Sequence, residues 1–130
     1  MKVTVIGNGS IGQRHLKGLT ILSKELNIDE VRSFDTNPER RTQVKENIPT
    51  AKIFESIEEA VTGTDLVFMC APTSLHIPIY ENISKYGDFH LFFEKPLSHT
   101  IEGCEQMLFD QKRKGKKIAV GYMLHHHPVL

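Results

Sequence analysis

The first strand of this chain runs straight into a turn built of glycines. "KVTVIG" (Lys2 to Gly7) is an apolar, β-branched run, and "GNGSIG" places Gly7, Gly9 and Gly12 at its end. Beyond it, Ile11, His15, Leu19, Leu22 and Leu26 recur at steps of three or four, which predicts a helix with one apolar face.

The rest of the chain repeats that alternation. "EVRSFD" (Glu30 to Asp35) reads as a second strand, and "NPERR" as a helix start with Asn37 as N-cap and Pro38 in the first turn. A short strand is expected around Ala51 to Phe54, then a short helix opened by the capping box Ser56 to Glu59. "DLVFMCA" (Asp65 to Ala71) and "FHLFFE" (Phe89 to Glu94) are nearly continuous apolar runs, as expected of strands buried on both faces. Between them a helix is predicted from about Leu75 to Tyr86, with Thr73 or Ser74 as its cap and Pro78 in its first turn. Ile101, Cys104, Met107 and Leu108 mark a further helix face that Gly115 stops, and "KIAVGY" (Lys117 to Tyr122) is the last strand. The fold class is therefore α/β: a doubly wound, mostly parallel sheet in a single domain, with right-handed crossovers.

Such sheets bind ligands beyond the carboxyl ends of their strands, so the residues that follow each strand carry the functional reading. After the first strand, Gly7 permits the tight turn, Gly9 lets backbone approach a pyrophosphate, and Gly12 lets the helix lie close on the sheet. The helix start at Asn8, Ser10 and Ile11 offers unpaired N–H groups and a positive dipole end. Asp35 ends the second strand roughly twenty residues further on, where a carboxylate accepts from the adenosine ribose hydroxyls. It repels a 2′-phosphate, which favours NAD, while Arg40 and Arg41 keep NADP open. The bland alternative is a connecting turn with Asp35 as a solvated strand end.

"CAPTSLH" follows the fourth strand and "EKP" the fifth. From spacing alone His76 reads as a surface histidine. Lys95 is either an ordinary exposed partner of Glu94 or a group facing the ligand crevice, able to hydrogen-bond a substrate hydroxyl.

Bulk properties remove other classes. Lys+Arg and Asp+Glu both number 16, so no net field argues for nucleic acid or an anionic membrane. The basic run "KRKGKK" (Lys112 to Lys117) reads as a solvated helix end. No apolar run is long enough to span a bilayer, and Met1 leads directly into the first strand without a signal peptide. The two cysteines, Cys70 and Cys104, are expected as buried free thiols of a reducing cytoplasm.

Taken together, "VIGNGSIGQRH" (Val5 to His15), Asp35, "APTSLHIPI" (Ala71 to Ile79), "EKPLSHT" (Glu94 to Thr100) and "VGYMLHHHP" (Val120 to Pro128) resemble the N-terminal Rossmann domain of the Gfo/Idh/MocA family, the glucose–fructose oxidoreductases, inositol dehydrogenases and their relatives. The resemblance implies hydride transfer between NAD(P) and a hydroxyl or carbonyl carbon of a sugar, cyclitol or similar molecule. It implies that the Gly7–Gly12 loop holds the pyrophosphate and Asp35 the ribose. Ala71, Pro72, Thr73 and His76 would line the cofactor near its reactive end, and the Glu94-Lys95-Pro96 turn would set Lys95 beside the nicotinamide.

The family's principal acid/base histidine lies in an Asp-x-x-x-His motif of a second domain, and this chain has no such motif. Residues 1–122 are thus expected to form the dinucleotide-binding domain, and 123–130 the start of a crossover to an absent substrate domain. His125-His126-His127-Pro128 stands where the family commonly has Arg-Phe-Asn/His-Pro. A tag or a metal site are the other readings of the three histidines; none of the site residues is assigned to a metal. The expectation is a cofactor-binding domain inactive alone, sticky or dimeric at its last strand. The competing reading is a non-catalytic NAD-binding sensor or docking module.

Overall fold

The computed structural model describes residues 1–123, and the three histidines lie outside them. Six parallel strands form one sheet: β1 (Lys2–Ile6), β2 (Glu30–Phe34), β3 (Lys52–Phe54), β4 (Leu66–Met69), β5 (His90–Phe93) and β6 (Ile118–Val120), in the order β3-β2-β1-β4-β5-β6. Helices α1 (Ser10–Ile21), α2 (Pro38–Asn47), α3 (Ile57–Val61), α4 (His76–Ile83) and α5 (Cys104–Arg113) connect them, with one 3₁₀ turn at Thr73–Leu75.

Alternation within each strand divides the interior into two layers. Val3, Val5 and Val31 point to the face covered by Leu16 and Leu19 of α1 and Val44 of α2. Ile6, Phe34, Val67, Met69, Leu91 and Phe93 point to the other face, against α3, α4 and α5. Two covered faces explain why the central strands read as unbroken apolar runs. Burial of Val3, Val5, Leu16, Met69 and Phe93 is complete, and this apolar area is the main force holding helices to sheet.

β1 pairs with β2 on one side and with β4 on the other. The chain winds outward from β1 to β3, then returns beside β1 to β4. The carboxyl ends of β1 and β4 therefore flank the point where the winding reverses, and a crevice opens there.

Three helices differ from expectation: α4 ends at Ile83, short of Tyr86, and α1 and α5 differ more. α1 ends at Ile21, so Leu22 and Leu26 lie outside it and are exposed; its buried side is Gly12, Leu16 and Leu19. Burial of Leu16 and turn-forming residues after Ile21 override the apparent stripe. α5 starts only at Cys104, behind Gly103 in a left-handed conformation (φ 78°). Ile101 is consequently exposed, as is Leu108, and Met107 and Gln111 supply the buried side.

The expected caps Asn37 and Ser56 accept from the N–H groups of Glu39 and Glu59. Thr73 and Ser74 do not cap by side chain, because the 3₁₀ turn they form carries the chain into α4. Both cysteines are free; Cys70 is buried just beyond β4 and Cys104 is half-buried. No helix among the described residues is long and apolar enough to cross a membrane.

Candidate functional site

The three loop glycines are glycine for different reasons. Gly7 has φ 94°, and a Cβ on it would stand 2.6 Å from the Ala71 nitrogen. A Cβ on Gly12 would stand 1.8 Å from the Gly7 carbonyl oxygen, so α1 can reach this position only without a side chain. Gly9 is the opposite case. Its backbone is extended (φ −66°, ψ −173°), which any residue adopts, and a Cβ there would meet nothing within 4 Å. Neither conformation nor internal packing asks for glycine at position 9.

Gly9 is also the N-cap of α1. No side chain caps this helix, and no acidic residue lies in its first turn. The N–H groups that open the helix at exposed Ser10 and half-buried Ile11 are thus left to an outside acceptor, at the positive end of the dipole. Asn8 is fully buried beneath the loop, and its carboxamide has no hydrogen-bond partner among the described residues.

Asp35 is buried, contrary to a solvated strand end. Its carboxylate accepts from the Asn8 N–H at 2.6 Å and from the Asn37 N–H at 2.7 Å. Those two bonds fix the carboxylate against the glycine loop and leave further lone pairs for a ligand hydroxyl. Arg41 donates to the backbone carbonyls of Asp35 and Thr36 at 2.8 and 3.2 Å. Arg40 is half exposed, with its guanidinium 3.6 Å from the Asp35 carboxylate. Of the two arginines, Arg40 is the one whose charge faces outward at this strand end.

The later strand ends meet in a cavity of about 800 Å³ that takes in Ile11, Ala71, Pro72, Thr73, His76, Glu94 and Lys95. His76 is 1% exposed rather than a surface residue. Its Nδ1 lies 3.0 Å from the Leu97 carbonyl oxygen and its Nε2 2.9 Å from that of Ala71, and its ring packs on Phe93. The ring sits between the turns after β4 and β5, and an imidazole with one N–H donates to one of these two carbonyls at a time. These backbone partners are invisible in a spacing pattern.

Lys95 is exposed at the cavity rim, and Glu94 is not its ion-pair partner. Glu94 accepts instead from His15 of α1, Nε2 to Oε1, at 2.5 Å. His15, expected on the core face of α1, thus lines the cavity, as do Arg14, Phe92 and Gly121. The available signal was a lone histidine on an apolar stripe, one turn beyond the glycine loop. Cys70 also lines the cavity, but burial, with a smaller contribution from the Glu94 charge, pushes its thiol up to about 12. It stays protonated at neutral pH and is no nucleophile.

Residues 1–122 match the model of an oxidoreductase family with an NAD-binding Rossmann fold, the Gfo/Idh/MocA family. The chain is 26% identical over 126 residues to myo-inositol 2-dehydrogenase of Thermotoga maritima, covering 94% of the chain and 36% of that enzyme. It is 30% identical over 128 residues to inositol 2-dehydrogenase of Burkholderia cenocepacia, covering 95% and 37%. The solved structure of UDP-N-acetylglucosamine 3-dehydrogenase GnnA from Acidithiobacillus ferrooxidans superposes with a TM-score of 0.84 at 26% identity, over 98% of this chain and 40% of that one. The chain spans well under half the length of these relatives. By the family match and by the fold, the chain belongs to the Gfo/Idh/MocA oxidoreductases and carries their NAD-binding Rossmann domain.

Proposed function

We propose that this domain holds NAD for hydride transfer to or from a hydroxyl or carbonyl carbon of a sugar, cyclitol or similar polyol. The observation that carries the reading is Gly9. It is a glycine at an uncapped helix start, facing open space, with no internal reason to lack a side chain. Close approach of a pyrophosphate supplies that reason.

In this reading the first-turn N–H groups of α1 receive the pyrophosphate and Asp35 accepts from the adenosine ribose. The buried carboxylate sets a negative charge where NADP would bring a second, so NAD is preferred; Arg40 softens that preference. Ala71, Pro72 and Thr73 flank the cofactor, and His76 keeps their turn in place. The nicotinamide, when bound, gives or takes the hydride. Lys95, at the rim, orients the reacting hydroxyl and assists its proton transfer. The two free thiols suit a reducing, cytoplasmic setting.

Substrate positioning and the principal acid/base are assigned to sequence that the relatives possess and this chain does not align with. The 130 residues by themselves bind cofactor and do not turn over a polyol. A second copy is expected to cover the β6 edge, beyond which Tyr122 and Met123 are exposed.

Fluorescence titration with NADH and NADPH tests the cofactor reading. The expected result is saturable NADH binding, tighter than NADPH by about tenfold, the scale of one unfavourable charge contact. Absence of saturable binding of either would overturn it.

A further inference from the structure

His15 has no part in the function above, yet it makes a close contact inside the cavity. We propose that His15 is a positioning residue. Its bond to Glu94 sets the turn that receives the nicotinamide end of the cofactor and leaves Lys95 free to act. The inference rests on the cofactor reading and deepens it at one end of the ligand.

Three features of the geometry converge. The His15–Glu94 bond joins α1, whose N-terminus faces the pyrophosphate site, to the residue that ends β5 and precedes Lys95. One side-chain contact thereby anchors the end of β5 to α1. The imidazole is lodged against two aromatic rings, 5.2 Å from Phe68 and 5.5 Å from Phe92, which fix its plane and aim Nε2 at the carboxylate. Gly121 keeps the far side open: a Cβ there would stand 3.0 Å from Phe92 and 3.6 Å from Glu94 Oε1.

Packing alone does not call for histidine at this place. Leucine would fill the slot beside Phe68 and Phe92 without burying a polar ring. What imidazole adds is an N–H donor to a carboxylate, roughly twice as strong a bond as one between neutral groups. The charged groups around the pair are Arg14 and Lys95, which line the same cavity. With His15 removed, Lys95 is the adjacent cation for Glu94, and an ion pair between them would withdraw both from the cavity.

The test compares NADH with ADP-ribose, which keeps the adenosine and pyrophosphate but lacks the nicotinamide. Dissociation constants are measured calorimetrically for the wild-type chain, His15→Leu and His15→Gln, with thermal unfolding as a check on folding. His15→Leu should weaken NADH binding about tenfold, the usual worth of a hydrogen bond to a charged group, and leave ADP-ribose within about twofold. His15→Gln, which restores a donor, should recover most of the NADH affinity.

Equal loss of both ligands in a folded His15→Leu chain would make His15 merely structural and overturn the proposal. Unchanged NADH binding would overturn it as well. A wild-type chain that binds neither ligand would instead overturn the cofactor reading, and the proposal with it.

Discussion

The two halves of the crevice are built differently. At the ends of β1 and β2 the work is done by backbone: a loop shaped by Gly7 and Gly12, an uncapped helix start, and one carboxylate pinned by two main-chain N–H groups. At the ends of β4 and β5 it is done by side chains from separate elements: His76 between two carbonyls, and His15 reaching from α1 to Glu94. A backbone site binds any ligand with the right charge and shape, and it tolerates no crowding. A side-chain site tolerates more and can be retuned one residue at a time.

The largest expected effect comes from crowding the backbone half. Gly12→Val puts carbon atoms where the Gly7 carbonyl lies, and backbone cannot yield cheaply there. Urea unfolding should show a loss of about 3 kcal/mol or more. A Gly12→Val chain of wild-type stability would break the contrast at its root.

Removing the pinned carboxylate comes next. Asp35→Ala leaves the Asn8 N–H without its acceptor, and under the proposed cofactor reading it also removes the acceptor for the ribose hydroxyls. NADH affinity should fall by about tenfold or more, with NADPH affected less, so that the preference between them narrows. An unchanged NADH-to-NADPH ratio would show that Asp35 does not face the ribose.

The smallest effect is expected far from the crevice. Arg32 is buried beneath α3, donating to the Ala60 and Thr62 carbonyls, and pairs with Glu30. That hydrogen bond, with the charges of Arg32 and Lys52, holds the Glu30 carboxyl below the usual glutamate range. A depressed folded value stabilises above the unfolded glutamate pKa of about 4.3, and the gain is lost as pH falls through the folded value. Glu30 is partly exposed, so Glu30→Gln should cost less than about 1 kcal/mol at pH 7 and flatten the acid side of the stability profile. An acid limb of unchanged slope would count against the pairing.

The same contrast explains what the sequence revealed. Strands buried on both faces are written as continuous apolar runs, and the glycine loop with Asp35 is a local pattern, so both were legible. The ends of α1 and α5 are not legible because Leu22, Leu26 and Ile101 continue an apolar spacing that the chain abandons for turns. The side-chain half was legible only through family resemblance, and then incompletely. His76 is held by main-chain carbonyls, which no residue type announces. His15 and Glu94 stand 79 residues apart, so only the fold brings them together.

Gly9 carries the central claim, that this loop is shaped for a ligand rather than for the fold. Gly9→Asp supplies a favourable N-cap in a conformation the backbone already has, while its carboxylate occupies the open space and competes for the same N–H groups. NADH titration of the folded variant beside the wild type is the direct test. The expected result is unfolding stability equal to or above wild type, with NADH affinity reduced about a hundredfold or more. A stable Gly9→Asp chain that binds NADH as the wild type does would contradict the account.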